Sequence, residues 1–224
     1  MSKTVLIAGA SRGIGLEMAR QAKARGDRVI ASVRSEASGE ALAGIADQIV
    51  QFDVTDEDAI RATAASIAAP IDLLIINAGI YRGRGALDAE DSGAEAWADV
   101  LMTNVAGPFL VARAFVAQVE AAGGKICILS SKMGSSELAP GNAYLYRASK
   151  AGATNVACNL AAELAPRGVA VGSYHPGWVQ TDMGGSGADL TVEESAAGLL
   201  ARFDSLSLKT TGAFEDYAGE PIPF

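Results

Sequence analysis

The sequence predicts a single α/β domain over residues 1–224, built on a doubly wound, mostly parallel sheet of about seven strands. Three observations carry this. Short apolar runs alternate with helical stretches from end to end. Most of those runs lack polar alternation, as strands covered on both faces do. Glycines and prolines fall at strand-to-helix turns, with no linker, repeat or low-complexity tract. Such an order gives parallel strands, right-handed crossovers and helices on both faces.

Taken in order, the predicted strands are 3–8, 28–33, 48–52, 73–76, 125–130 and 169–174. Helices are predicted over about 14–25, 36–46, 56–68, 92–121, 146–165 and 192–203. A last strand near 212–214 and the tail 217–224 are expected to close one edge. The acidic run Asp56-Glu57-Asp58 reads as a helix start that complements the dipole.

At 224 residues the chain can bury a full core without disulfide or metal. A net charge of −8 argues against a nucleic-acid partner, which needs clustered Lys and Arg. No apolar run approaches the ~18 residues of a membrane span. The N-terminus runs straight into a strand without signal-peptide architecture, so a cytoplasmic protein is expected. Cys127 and Cys158 read as reduced thiols in apolar segments, and a lone histidine, His175, excludes a His-based metal cluster.

After the first strand comes Gly9-Ala10-Ser11-Arg12-Gly13-Ile14-Gly15, then a helix. Glycines there let the backbone turn tightly and approach a pyrophosphate at the positive helix end, which points to a Rossmann-type dinucleotide site. The spacing meets the common G-x-G-x-x-G fingerprint only loosely, and alone the loop could be a structural turn. Arg34 follows the second strand, where an arginine accommodates a 2′-phosphate, and Arg12 can help; Asp27 lies at the wrong end of that strand to bind a ribose. NADP is therefore favoured over NAD.

Tyr146 and Lys150 lie four residues apart on one helix face. A nearby ammonium favours the phenolate and lowers a tyrosine pKa, making it a proton donor for a carbonyl oxygen. Alone, the pair could be a surface pair. Ser130 and Ser131 end an apolar strand at the edge where such sheets meet ligands, though a Ser-Ser pair is as readily a turn.

Read together, Gly9-x-x-x-Gly13-x-Gly15, Asp53-Val54, Asn77-Ala78-Gly79, Asn104-Val105-x-Gly107, Ser131-x-x-Gly134, Tyr146-x-x-x-Lys150 and Pro176-Gly177 resemble the short-chain dehydrogenase/reductase family over essentially the whole chain. The run from His175 to Gly185 and the ending Tyr217-Ala218-Gly219-Glu220-Pro221 resemble its C-factor and sniffer-type carbonyl reductase branch. The resemblance implies a catalytic tetrad of Asn104, Ser131, Tyr146 and Lys150. Ser131 would hold the substrate oxygen and Tyr146 deliver the proton. Lys150 would bind the nicotinamide ribose and lower the tyrosine pKa, and Asn104 would anchor a relay water. Asp53 and Val54 would meet the adenine, Asn77, Ala78 and Gly79 the middle of the cofactor, and Pro176, Gly177, Val179 and Thr181 the nicotinamide. Ala8 and Ile76 depart from the family's threonine and asparagine, and altered local packing is expected there.

The implied activity is NADP(H)-dependent transfer of hydride to a small carbonyl, or from an alcohol, in a homodimer or homotetramer that pairs through the helices holding Asn104 and Tyr146. A C-factor-like sensor with incidental turnover is the alternative. An epimerase or dehydratase is disfavoured, because little chain follows Lys150. Ile80, Tyr81, Met133, Leu138, Trp178 and Met183 are expected to form an apolar pocket, and 182–190 a mobile lid. Arg82-Gly83-Arg84-Gly85 reads as a solvated loop, His175 as a packed or capping residue, and Trp97 as packing.

Overall fold

A computed structural model describes residues 2–224. The predicted runs form β1 (Thr4–Ala8), β2 (Arg28–Val33), β3 (Gln48–Gln51), β4 (Leu73–Ile76), β5 (Lys125–Leu129), β6 (Ala170–His175) and β7 (Phe214–Asp216). They are ordered β3-β2-β1-β4-β5-β6-β7 in one sheet whose pairings are all parallel. Helices α1 (Gly13–Ala24), α2 (Glu57–Ser66), α3 (Ala94–Leu101), α4 (Gly107–Ala122), α5 (Tyr144–Leu164) and α6 (Val192–Ser205) cover both faces.

The missing polar alternation now has its cause. Leu6 and Ala8 of β1, Leu74 and Ile76 of β4, and Ile126 and Ile128 of β5 face a core shared with Val111, Phe115 and Leu160. The intervening Val5, Ile7, Leu73, Ile75 and Cys127 face a second core with Met18, Leu199 and Phe203. Each such aliphatic side chain contributes about 1.5–3 kcal/mol when fully buried. The two family departures, Ala8 and Ile76, are register partners across β1 and β4. An apolar pair there packs without an unmet polar group.

Four expectations need correction. The segment predicted helical over 36–46 is a 3₁₀ stretch, Glu36–Leu42, closed by a reciprocal Ser35–Ser38 cap. Serine and glycine there favour turns over an α-helix. The long helix predicted over 92–121 is α3 and α4 joined through a π-helical turn, Met102–Ala106. Pro108 removes a backbone donor just after that turn, a usual cause of a break in the helical ladder. The stretch Ala94–Ala122 as a whole is long and apolar enough to cross a membrane, contrary to expectation. Its Val111, Phe115 and Val119 are core residues against the sheet. The last strand lies at Phe214–Asp216, because Gly212 turns the chain at φ +86°. The tail does close that edge: Ile222 N–H donates to Phe214 C=O at 2.9 Å.

Candidate active site

The sheet order reverses direction about β1, whose neighbours are β2 and β4. Doubly wound sheets bind ligands outside the carboxyl ends of strands at such a point. Gly9 leaves β1 at φ +88°, and a Cβ on it would stand 2.8 Å from the Ala78 nitrogen. On Gly15 a Cβ would reach 2.2 Å from the Gly9 carbonyl oxygen. Both glycines are thus required by packing. Asn77 Nδ2 donates to the Gly9 carbonyl at 2.6 Å, and Ser32 Oγ accepts from Gly9 N–H at 3.0 Å. The loop Gly9–Gly15 is held from both sides. Helix α1 begins at Gly13 with no side-chain cap, so its N–H groups remain available to an anion. This cradle fits a dinucleotide pyrophosphate.

Arg34, expected to accommodate a 2′-phosphate, stands exposed just past β2. Arg12, assigned to the same task, pairs with Asp182 across the cleft. Asp27 is buried and accepts from Lys3 N–H and Arg25 Nε, a structural role consistent with its place before the strand. Asp53 turns its carboxylate onto the N–H and hydroxyl of Thr55, and Val54 packs under Gly107.

The other end of the cleft gathers the tetrad residues. Ser131, Tyr146, Lys150 and Asn104 are all buried. The Ser-Ser pair divides: Ser130 Oγ donates to the Lys150 carbonyl at 3.0 Å and meets Thr154 Oγ1 at 2.7 Å, tying β5 to α5. Ser131 Oγ instead lies beside the Tyr146 phenol and accepts from Met133 N–H at 3.1 Å. Gly134 lets this turn close on α5, since a Cβ there would stand 2.7 Å from the Lys150 carbonyl carbon. Asn104, displayed by the π turn, accepts from Ile80 N–H at 2.9 Å and donates to Ser149 Oγ at 3.0 Å. Its Oδ1 and Lys150 Nζ converge on Gly79, 3.2 and 3.5 Å from where a Cβ would be.

Lys150 Nζ donates to the Leu129 carbonyl at 2.8 Å and lies 5.6 Å from the Tyr146 ring centre. Burial lowers its pKa to about 8. Burial pushes the Tyr146 phenol well above its ordinary value, with the Tyr81 phenol adding and Ser131 and Arg84 opposing. The expected lowering by Lys150 is absent, because desolvation dominates and the offsetting charge comes from Arg84. Ala143, which opens α5, sits in the left-handed region at φ +48°, a strained start to the helix that carries Tyr146. His175 has a buried Nδ1 without a partner among the described residues, and burial lowers its pKa to about 4.

Beyond Tyr146 opens a cavity of about 460 Å³ lined by Tyr81, Met133, Leu138, Trp178 and Met183, as expected. Ile14, Pro176, Gly177, Val179 and Thr181 also border it. Ile80 does not; it packs against Ala96, Val100 and Leu145 instead. Sequence reasoning missed the Tyr81 ring stacked on Tyr146 at 4.1 Å and Arg84 lying 4.5 Å over Tyr81. No local spacing announces that stack, since the loop folds over a helix far along the chain. Lys132 and Arg147 also line the cavity, next to Ser131 and Tyr146 in sequence.

Comparison with known proteins agrees with this architecture. The family model for short chain dehydrogenases matches residues 3–189. C-signal of Myxococcus xanthus is 36% identical over 170 residues, spanning 73% of this chain and 99% of that protein. The carbonyl reductase Sniffer of D. melanogaster superimposes with a TM-score of 0.93 at 27% identity, covering all of both chains. The NADPH-bound carbonyl reductase from chicken fatty liver gives 0.91 at 32% identity, over 100% of this chain and 99% of that one. The chain belongs to the short-chain dehydrogenase/reductase family.

Proposed function

We propose that the whole chain, as one dinucleotide-binding unit, is an NADPH-dependent carbonyl reductase with Tyr146 as its acid. The observation that carries this is the Tyr146 phenol beside Ser131 at one end of a cleft whose other end is the Gly9–Gly15 cradle. NADP-bound relatives and the exposed Arg34 support the choice of cofactor. When bound, NADPH supplies the hydride that reduces the carbonyl carbon and leaves as NADP⁺. Ser131 would hold the carbonyl oxygen by a hydrogen bond. Tyr146 then gives its phenolic proton to that oxygen, completing the alcohol. An ordinary phenol is protonated at neutral pH and burial only raises the Tyr146 pKa further, so Tyr146 carries the proton that it would give. Lys150 lies near enough to steady the resulting phenolate, and Asn104 fixes the backbone of Ile80 beside it.

The likeness to C-signal favours a second reading, a cofactor-binding signalling protein in which turnover is secondary. Following NADPH oxidation against a panel of aldehydes, ketones and quinones separates the two. The reductase reading predicts turnover that is faster with NADPH than with NADH. Bound NADPH with no turnover on any of them would favour the sensor.

A further inference from the structure

Among the described residues, the charged side chains that line the cavity next to Tyr146 are Lys132 and Arg147, with His175 the other titratable group besides Tyr81 and Tyr146, and no carboxylate lines it. Arg84 stands at its rim, over Tyr81 and bonded to Met183 C=O at 2.9 Å. These cations come from three elements: the loop after β4, the turn after β5 and the first turn of α5. Yet the chain is acidic, with 26 Asp and Glu against 18 Lys and Arg. Nearby cations find carboxylates readily: Arg82 pairs with Asp99, and Arg12 with Asp182. Among the described residues, Arg84, Lys132 and Arg147 have none within 4.0 Å.

What holds the two arginines is neutral. Arg147 Nη1 donates to Met133 C=O at 3.2 Å and Nε to Asn142 Oδ1 at 3.3 Å. Each guanidinium is fixed in place with charge uncompensated and further N–H donors to spare. Like charges gathered around one cavity repel, and focus an attractive field for an anion. The cofactor's 2′-phosphate does not account for them, since Arg34 lies past β2, on the other side of β1 in the sheet.

We propose that this pocket takes carbonyl compounds that carry an oxyanion, such as a carboxylate, held by Arg147 and Lys132 with Arg84 at the rim. The carbon skeleton lies against Tyr81, Met133, Leu138 and Trp178. The inference rests on the reading of Tyr146 as the acid at this pocket.

Matched pairs test it: 4-formylbenzoate against its methyl ester, and 4-oxopentanoate against its methyl ester, each reduced with NADPH. For partly exposed charge-assisted contacts, kcat/KM should favour the acid by roughly five- to fiftyfold in both pairs, through KM. The preference should shrink in Arg84→Met and Arg147→Met and fall as salt is added to the wild type. Esters reduced as well as acids would overturn the proposal, as would a preference that survives both substitutions and high salt. Equal loss of NADPH affinity in the variants would assign these cations to the cofactor and overturn it too. Binding without turnover gives a second readout: benzoate should quench Trp178 fluorescence at lower concentration than benzamide, and equal quenching would contradict the inference. Failure of the wild type to reduce either member of either pair, with benzoate still preferred over benzamide, would instead sink the reductase reading and spare the anion site.

Discussion

Arg34 and His175 show two ways a single residue reports on this cleft. Arg34 is an exposed guanidinium just past β2, proposed as the partner of the 2′-phosphate. Arg34→Ala should weaken NADPH binding by about ten- to hundredfold and leave NADH binding nearly unchanged. Equal losses in a calorimetric titration would show that Arg34 acts on folding. His175 reports on stability. In the fold it holds a proton only below about 4, against an ordinary value of 6.5. Between those values the unfolded chain binds more protons, so stability falls as pH drops through that window. Denaturant titrations at pH 7 and pH 4.5 should show a loss of order 2 kcal/mol in the wild type that His175→Gln reduces. The same loss in both proteins would place the pH dependence elsewhere. The place of Arg34 just past β2 was legible because it directly follows an apolar run. The orphaned Nδ1 of His175 was not, because burial comes from elements distant in the chain.

Elements repeat that contrast. The stretch 82–85 looks solvated in sequence, being rich in Arg and Gly, yet its Arg84 lies over the Tyr81 ring that stacks on Tyr146. The long amphipathic pattern over 92–121 hid a π turn, because periodicity measures which face is buried and not how the hydrogen bonds step. The segment 182–190 is pinned at several points: Trp178 Nε1 donates to Gly184 C=O at 2.9 Å, Gln180 N–H to Leu190 C=O at 2.9 Å, and Arg12 and Arg84 reach Asp182 and Met183. Most of its other residues are exposed. We propose that it closes over the nicotinamide, so hydrogen exchange over 182–190 should slow when NADPH binds. Unchanged exchange with cofactor bound would contradict the lid.

At the scale of the whole molecule, the parallel sheet with a core on each face follows from apolar runs buried on two faces, and this much was legible in the sequence; the strand order was not, because apolar patterning does not say which strands are neighbours. Tetrad residues also met in space as their motifs implied, because the ends of β5 and α5 are locked by Ser130 and Gly134. The electrostatics were not legible: Tyr146 is governed by burial, with Tyr81 adding to the rise and Ser131 and Arg84 opposing it, and that burial comes from elements distant in the chain. Leu101, Met102 and Phe109 are exposed on the helices proposed to pair between subunits. A dimeric or tetrameric mass at micromolar concentration is expected, and a monomeric mass would count against it.

Tyr146→Phe tests directly whether Tyr146 supplies the proton. The substitution removes one oxygen and keeps the ring that stacks on Tyr81. Folding, judged by the thermal midpoint, and NADPH affinity should stay within a few-fold or a few degrees of the wild type. General acid catalysis is worth about 10²–10⁴-fold, so kcat for carbonyl reduction should fall by at least the lower factor. A variant that reduces carbonyls at the wild-type rate would show that the proton comes from another group.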